Sequence, residues 1–377
     1  MTKLTYFTRG ASVYDYFFLS HLKRDFELTF ASFNGEPRHV PKGVKTVSIR
    51  DFGRPLPARD GVRSFSMSLP RALALRRFLD QEKPDLLLSG YSIDYDLCSA
   101  FSAFKPFGVL IWGSEALLAP SSLAWRSTIK FILQRADMAI VDSLAVYNAC
   151  RGLGMPSRKL VRLPWFDSVE FVASLAAARL EKEEYRHQRG WGSTDPVVIC
   201  TRMHEPVYDI PAILHSIPDM LANVPNARFE FVGGGSLTRT LIETVRSLGV
   251  ERNVHFEGIV PLQNMPWHLK NSDVYVSSSL SDGTSASLLQ AMCACLPCVV
   301  SDIPANREWI RNEQEGMLFA SSNSLALAGC LLKVIADNSL CRRLGENASA
   351  RVLERACWDS SSKTLYDFLE KPLAHST

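Results

Sequence analysis

The sequence predicts an α/β protein made of two doubly wound, Rossmann-like domains. Short apolar, β-branched runs alternate with amphipathic helical stretches from the first residues onward, the order that a parallel sheet with crossover helices requires. The alternation lapses in a polar, Gly- and Pro-containing stretch, residues 190–196, and restarts at Val197–Cys200. A chain of 377 residues is long enough to bury two cores. The implied division is a first domain over residues 1–190, a second over 191–357, and a C-terminal helical segment, 358–377, packing back on the first.

Within the first domain, residues 3–8 read as a strand, Arg9-Gly10-Ala11-Ser12 as a turn, and the next stretch as a helix with Tyr16, Phe17 and Leu22 among its apolar positions. Residues 27–32 form the second strand. Gly10 stands at the carboxyl end of the first strand, where backbone can approach a ligand closely. Residues 35–63 are rich in Pro, Gly and charge and read as a loop region with a short strand at 44–49. A basic amphipathic helix over 71–79 and buried strands over 84–89 and 108–112 follow. Between those strands lies Asp94-Tyr95-Asp96, which matches the DxD pattern that holds a divalent cation. Acidic residues ahead of an apolar helix also serve as caps, and on that reading no metal is bound. A helix ends at 131–136, residues 138–141 form a strand, and Asp142-Ser143 caps the next helix. A short strand at 160–163 leads to the turn Pro164-Trp165-Phe166-Asp167, then a highly charged helix over 175–189.

The second domain continues with a helix at 210–222 and a strand at 228–232 that runs into Gly233-Gly234-Gly235-Ser236. Three glycines between a strand and a helix suit a ligand-facing turn, although the GxGxxG spacing of dinucleotide sites is missing. Residues 254–257 are a strand and 265–270 a short helix. The stretch from Ser272 to Met292 is a strand, a small-residue loop and a helix: Val274, Tyr275 and Val276 suit a sheet, and Leu288, Leu289 and Met292 share one helical face. Gly283, Thr284 and Ser285 therefore open onto a helix N-terminus, whose unpaired N–H groups and partial positive charge favour a phosphate. A strand at 298–301 and amphipathic helices at 325–336, 339–357 and 360–369 complete the chain.

Composition narrows the class. With 46% hydrophobic and 21% charged residues the chain is an ordinary globular protein, and no run approaches the roughly 18 apolar residues of a membrane span. The start lacks the apolar core of a signal peptide, which predicts a cytoplasmic location. Nine cysteines, with Cys293, Cys295 and Cys298 crowded around Pro297, suit buried small hydrophobes better than disulfides or a zinc finger. Residues 1–190 hold 27 Lys and Arg against 19 Asp and Glu, and residues 191–377 hold 15 against 20. A basic first half suits an anionic acceptor or peripheral contact with the cytoplasmic face of a membrane. Nucleic acid fits less well, because no long basic run or RNA-reading aromatic motif is present.

The second half resembles the retaining glycosyltransferases of the GT-B architecture, in the large group called family 4. The resemblance is carried by Ala227 to Gly235, Asn253 to Gly258, Asp273 to Ile303, Glu315 to Phe319 and Arg343 to Ala348. The first half matches more loosely, through Pro84-Asp85, Trp112 to Glu115, Arg135 to Asp137 and Lys159 to Phe171. The resemblance implies two Rossmann-like domains facing a cleft, closed by hinge motion at the linker. It implies a nucleotide-diphosphate sugar as co-substrate, no cofactor or metal, and a glycan, polysaccharide-precursor or lipid-linked acceptor on the first domain.

It also implies roles for particular residues. Two glutamates eight positions apart bracket the donor in that family; here they are Asp282, toward the sugar, and Gln290, toward the ribose. Gln290 still bonds hydroxyls, without the charge that strengthens such bonds. The family's diphosphate-binding Arg corresponds to Arg202, whereas its Lys has no counterpart in the stretch from Met203 to Asp209. Arg202 and Asp282 are thus the expected catalytic pair. Gly283, Thr284, Ser285, Gln290, Gly233, Gly234, Gly235, Arg9 and Gly10 are the expected donor-binding set. The softened chemistry keeps open an alternative, a catalytically weakened partner that binds nucleotide sugar for another enzyme.

Overall fold

The computed structural model describes residues 1–10, 13–33, 40–49, 61–90, 93–117, 122–164, 166–178 and 181–370. Parts of the predicted 35–63 loop region, Ala11 and Ser12 of the first turn, Trp165 and the last residues of the terminal segment lie outside the described residues. The chain divides into two compact units, one of residues 1–165 and 360–377, the other of residues 166–359. Residues 166–190, grouped with the first domain in the sequence reading, fall in the second unit.

The first unit holds a seven-stranded parallel sheet of β1 (Lys3–Phe7), β2 (Glu27–Ser32), β3 (Lys45–Ser48), β4 (Leu86–Gly90), β5 (Phe107–Ile111), β6 (Met138–Val141) and β7 (Leu160–Arg162). Its order is β3-β2-β1-β4-β5-β6-β7. The inner strands read as near-continuous apolar runs because helices cover both faces, and Tyr6, Phe7, Phe30 and Phe107 are among the largest fully buried side chains. The chain turns back between β1 and β4, so the carboxyl ends of those strands flank a topological switch point.

The second unit holds a six-stranded parallel sheet of β8 (Val197–Cys200), β9 (Arg228–Val232), β10 (Val254–Gly258), β11 (Val274–Ser277), β12 (Cys298–Ser301) and β13 (Gly316–Phe319), ordered β10-β9-β8-β11-β12-β13. Here the switch point falls between β8 and β11. The loops after those two strands carry Arg202 and Asp282, which is how residues far apart in sequence come to one place.

The charged helix expected over 175–189 is two helices, Ser168–Ala177 and Lys182–Gln188. Asp167 caps the first by accepting from the N–H groups of Val169 and Glu170 at 3.1 Å each. The second is held to the sheet by its charges: Lys182 Nζ and Arg186 Nη2 reach the two carboxylate oxygens of Asp273 at 3.1 and 2.8 Å. The first helix ends at Ala178, whose backbone is extended. All nine cysteines are free, and five are buried as expected, but Cys295 is exposed. No single helix among the described residues is long and apolar enough to cross a membrane.

Candidate active site

Arg202 leaves the end of β8 with its side chain buried to 8% exposure. Nη2 donates to Asp282 Oδ2 at 2.6 Å, and Nη1 donates to Ser285 Oγ at 2.5 Å and Ser287 Oγ at 2.8 Å. The guanidinium carbon stands 4.0 Å from the centroid of the Tyr208 ring, a cation–π contact on one face. One cation thus gathers the whole small-residue loop. Ser285 caps the helix Ala286–Cys293 by accepting from Leu288 N–H at 3.3 Å, as its position ahead of an apolar helical run requires.

Asp282 sits inside that arrangement as the loop's own anion. Burial pushes its carboxyl above the usual carboxylate range, and Arg202, the Gly283 N–H and the Ser285 hydroxyl pull in the other direction. A donor diphosphate arriving at Arg202 must therefore share or take over contacts that Asp282 makes. Gly283 is buried and Thr284 half-buried in the same loop. Gln290 lies just over one turn into the helix, exposed to 9%.

The glycine run packs on the Arg202 loop. Gly233 N–H donates to Gly258 O at 2.8 Å, Gly235 N–H to Thr238 Oγ1 at 3.0 Å, and Ser236 N–H and Oγ–H to the Glu205 carboxylate at 2.8 and 2.6 Å. A Cβ on Gly233 would stand 2.5 Å from Arg202 O, and one on Gly235 would stand 2.6 Å from His204 O. These glycines let the loop that carries Arg202 lie directly on the turn after β9. Their small size serves backbone against backbone.

His204, also on the Arg202 loop, is buried. Its Nδ1 is 2.9 Å from Thr238 Oγ1, while its Nε2 makes no hydrogen bond among the described residues. Burial holds its pKa below the ordinary histidine value, so the ring is neutral near pH 7. Glu205 lies below the usual carboxylate range because Ser236 bonds the ionised form.

Arg9 and Gly10 belong to the first unit, after β1. Gly10 adopts a positive φ of 65°, and its N–H donates to Thr8 Oγ1 at 3.2 Å. Arg9 Nη2 lies 3.7 Å from Asp94 Oδ2, and buried Asp96 accepts from Ser89 Oγ at 2.7 Å. The two acids of the DxD-like stretch thus have separate protein partners. In the second unit, Glu230, His255 and Glu257 bring three potential metal-ligand atoms within 4.8 Å. Arg189 Nη2 already bridges those two carboxylates, 3.1 Å from Glu230 and 2.7 Å from Glu257, so a cation's place is taken by guanidinium.

Sequence reasoning missed Ser287, Tyr208 and Tyr275. Ser287 had a usable signal, since it sits in the first helical turn two residues after Ser285. Tyr208 had none, because only the return of the loop brings its ring under Arg202.

Comparison with known proteins adds to this geometry. Residues 181–351 match the family model described as Glycosyl transferases group 1. The N-acetyl-alpha-D-glucosaminyl L-malate synthase of Bacillus anthracis is 20% identical over 293 residues, 76% of this chain and 74% of that one. The structure of Anabaena HepE in complex with UDP aligns over 98% of this chain and 100% of its own, at 15% identity and a TM-score of 0.77. Sucrose-phosphate synthase from Thermosynechococcus elongatus aligns over 99% and 100%, at 14% identity and a TM-score of 0.82. At such identities the structural likeness establishes the fold, two Rossmann-type sheets of the GT-B kind. The reading as a non-catalytic partner is not favoured.

Proposed function

We propose that this chain, which is a glycosyltransferase with a group 1 domain over residues 181–351, moves a sugar from a nucleotide-diphosphate donor to a glycan or lipid-linked acceptor. The finer assignment is to family 4, with retention of anomeric configuration. The observation that carries the donor reading is Arg202, a buried guanidinium at the switch point of a parallel sheet, facing a small-residue loop ahead of a helix.

The chemistry follows from charge. Transfer builds negative charge on the departing nucleoside diphosphate, and a preorganised donor aimed there lowers the barrier by roughly 3–4 kcal/mol. Arg202 supplies that charge, with the small-residue loop of Gly283, Thr284 and Ser285 beside it and no resident metal required. Asp282 meets hydroxyls of the transferred sugar, and Gln290 those of the ribose. Residues 1–165 hold 23 Lys and Arg against 14 Asp and Glu, a basic balance that supports an anionic acceptor on the first unit.

The test is a thermal-shift panel of nucleotide sugars followed by transfer assays on the best ligand. A ligand at about 100 times its dissociation constant stabilises the fold by roughly 2.7 kcal/mol, a readable shift. Arg202→Ala is expected to abolish the shift and to lower turnover by about 100- to 1,000-fold, and EDTA to leave turnover intact. Unchanged turnover in Arg202→Ala would overturn the diphosphate role; loss of transfer with EDTA, restored by Mn²⁺, would overturn metal independence.

A further inference from the structure

The Arg202 guanidinium is held by a chain of hydroxyls rooted in β11. Tyr275, wholly buried in β11, donates from its hydroxyl to Ser287 Oγ at 3.0 Å, and Ser287 Oγ also accepts from Arg202 Nη1 at 2.8 Å. Those two donors use both lone pairs of the Ser287 oxygen, and Ser285 Oγ stands 3.1 Å away. Burial pushes the Tyr275 phenol well above its ordinary pKa, so it remains a donor throughout the working range. On the guanidinium's face, the Tyr208 ring at 4.0 Å blocks tilting.

Resting on the reading of Arg202 as the diphosphate ligand, we propose that Ser287 and Tyr275 are positioning residues: Tyr275 fixes the Ser287 oxygen, and Ser287 fixes the plane in which Arg202 meets the leaving diphosphate. A planar cation with directional donors stabilises developing charge only when its plane is set before the charge appears. Asp282 cannot set that plane, because its contact with Nη2 is the one a donor would compete for. Nη1, bound to the two serines, is the arm that stays put.

The test is a set of kinetic cycles on the full chain, with the nucleotide sugar chosen from the panel above. Ser287→Ala and Tyr275→Phe are each expected to lower kcat by about 5- to 30-fold with donor KM changed less than about threefold, the pattern of a lost transition-state contact. Ser287→Thr, which keeps the hydroxyl, restores most of kcat. In an Arg202→Ala background neither substitution lowers the residual rate further, since the group they orient is gone. If Tyr275→Phe misfolds, the half-buried Ser287 carries the cycle. Full activity in Ser287→Ala while Arg202→Ala is slowed about 100-fold or more would overturn the inference and leave the diphosphate reading standing. Equal losses with and without Arg202 would also overturn it, as a structural role. Full activity in Arg202→Ala would remove that reading and the inference with it.

Discussion

Arg202 and Asp282, 80 positions apart in the chain, form an ion pair of 2.6 Å with both side chains largely buried. The pair has a consequence for ligand affinity. A carboxylate resting on the guanidinium competes with an incoming phosphate for the same charge. Asp282→Asn keeps the size and removes the charge, so the tightest-binding of UDP, GDP and ADP should bind about 3- to 10-fold more tightly by calorimetry. Transfer should fall at the same time, because Asn contacts sugar hydroxyls without the charge. Unchanged or weaker nucleotide binding would show that Asp282 does not compete for Arg202.

Gln290 offers an independent check on the far end of the same loop and helix. If its amide bonds the ribose, Gln290→Glu gives a charge-assisted bond in place of a neutral one, roughly twice as strong. Donor Kd is expected to drop several-fold with kcat little altered, as uniform binding predicts. Equal Kd values for the two proteins would remove the ribose assignment.

The strands and most helices were legible because each is a local pattern: β-branched runs for the strands, and apolar positions at helical spacing for helices such as Ser324–Ala336. The switch-point residues were legible as individuals through the family resemblance, which implies roles for Arg202 and Asp282. Their pairing was not, because it depends on β8 and β11 lying side by side in the sheet. Gly233, Gly234 and Gly235 read as a ligand-facing turn, and the packing of the Arg202–Glu205 loop against them is something that spacing along the chain does not reveal. Glu230 looked like one residue of an alternating strand, and nothing local announced that Arg189 would cover it.

His204 gives the second unit a pH dependence of definite sign. Its folded pKa is depressed by burial, so the fold binds fewer protons there than the unfolded chain does. That contribution to stability is present above the unfolded value of about 6.5 and is lost as pH falls below it. Asp282, raised by burial, has the opposite sign: its contribution is present at low pH and lost as pH rises through its folded value. Asp282 titrates in both proteins, so the comparison of wild type with His204→Gln isolates the imidazole. Melting temperatures at pH 7.5 and 5.5 should differ less in His204→Gln than in wild type. An equal or larger pH difference in the variant would mean that the imidazole protonates freely in the fold.

The ion network around Glu230 predicts a loss of stability without a change in chemistry. Glu230 is fully buried; its carboxylate accepts from Arg189 Nη2 at 3.1 Å and from the Tyr185 hydroxyl, and His268 Nδ1 lies 3.2 Å away. The Arg189 guanidinium carbon stands 3.8 Å from the Tyr185 ring centroid, with Trp191 and Trp267 farther out at 5.8 and 5.6 Å. Arg189→Met keeps the apolar contact with those rings but leaves Glu230 buried without its cation, a change that costs about 3–5 kcal/mol. Adding Glu230→Gln removes the orphaned charge and should recover much of that loss, because the penalty lies in the unpaired ion rather than in the missing pair. Denaturant unfolding of the two variants measures this directly. If the double variant were as unstable as Arg189→Met, the network would contribute through packing of the helix Lys182–Gln188 and not through its charges.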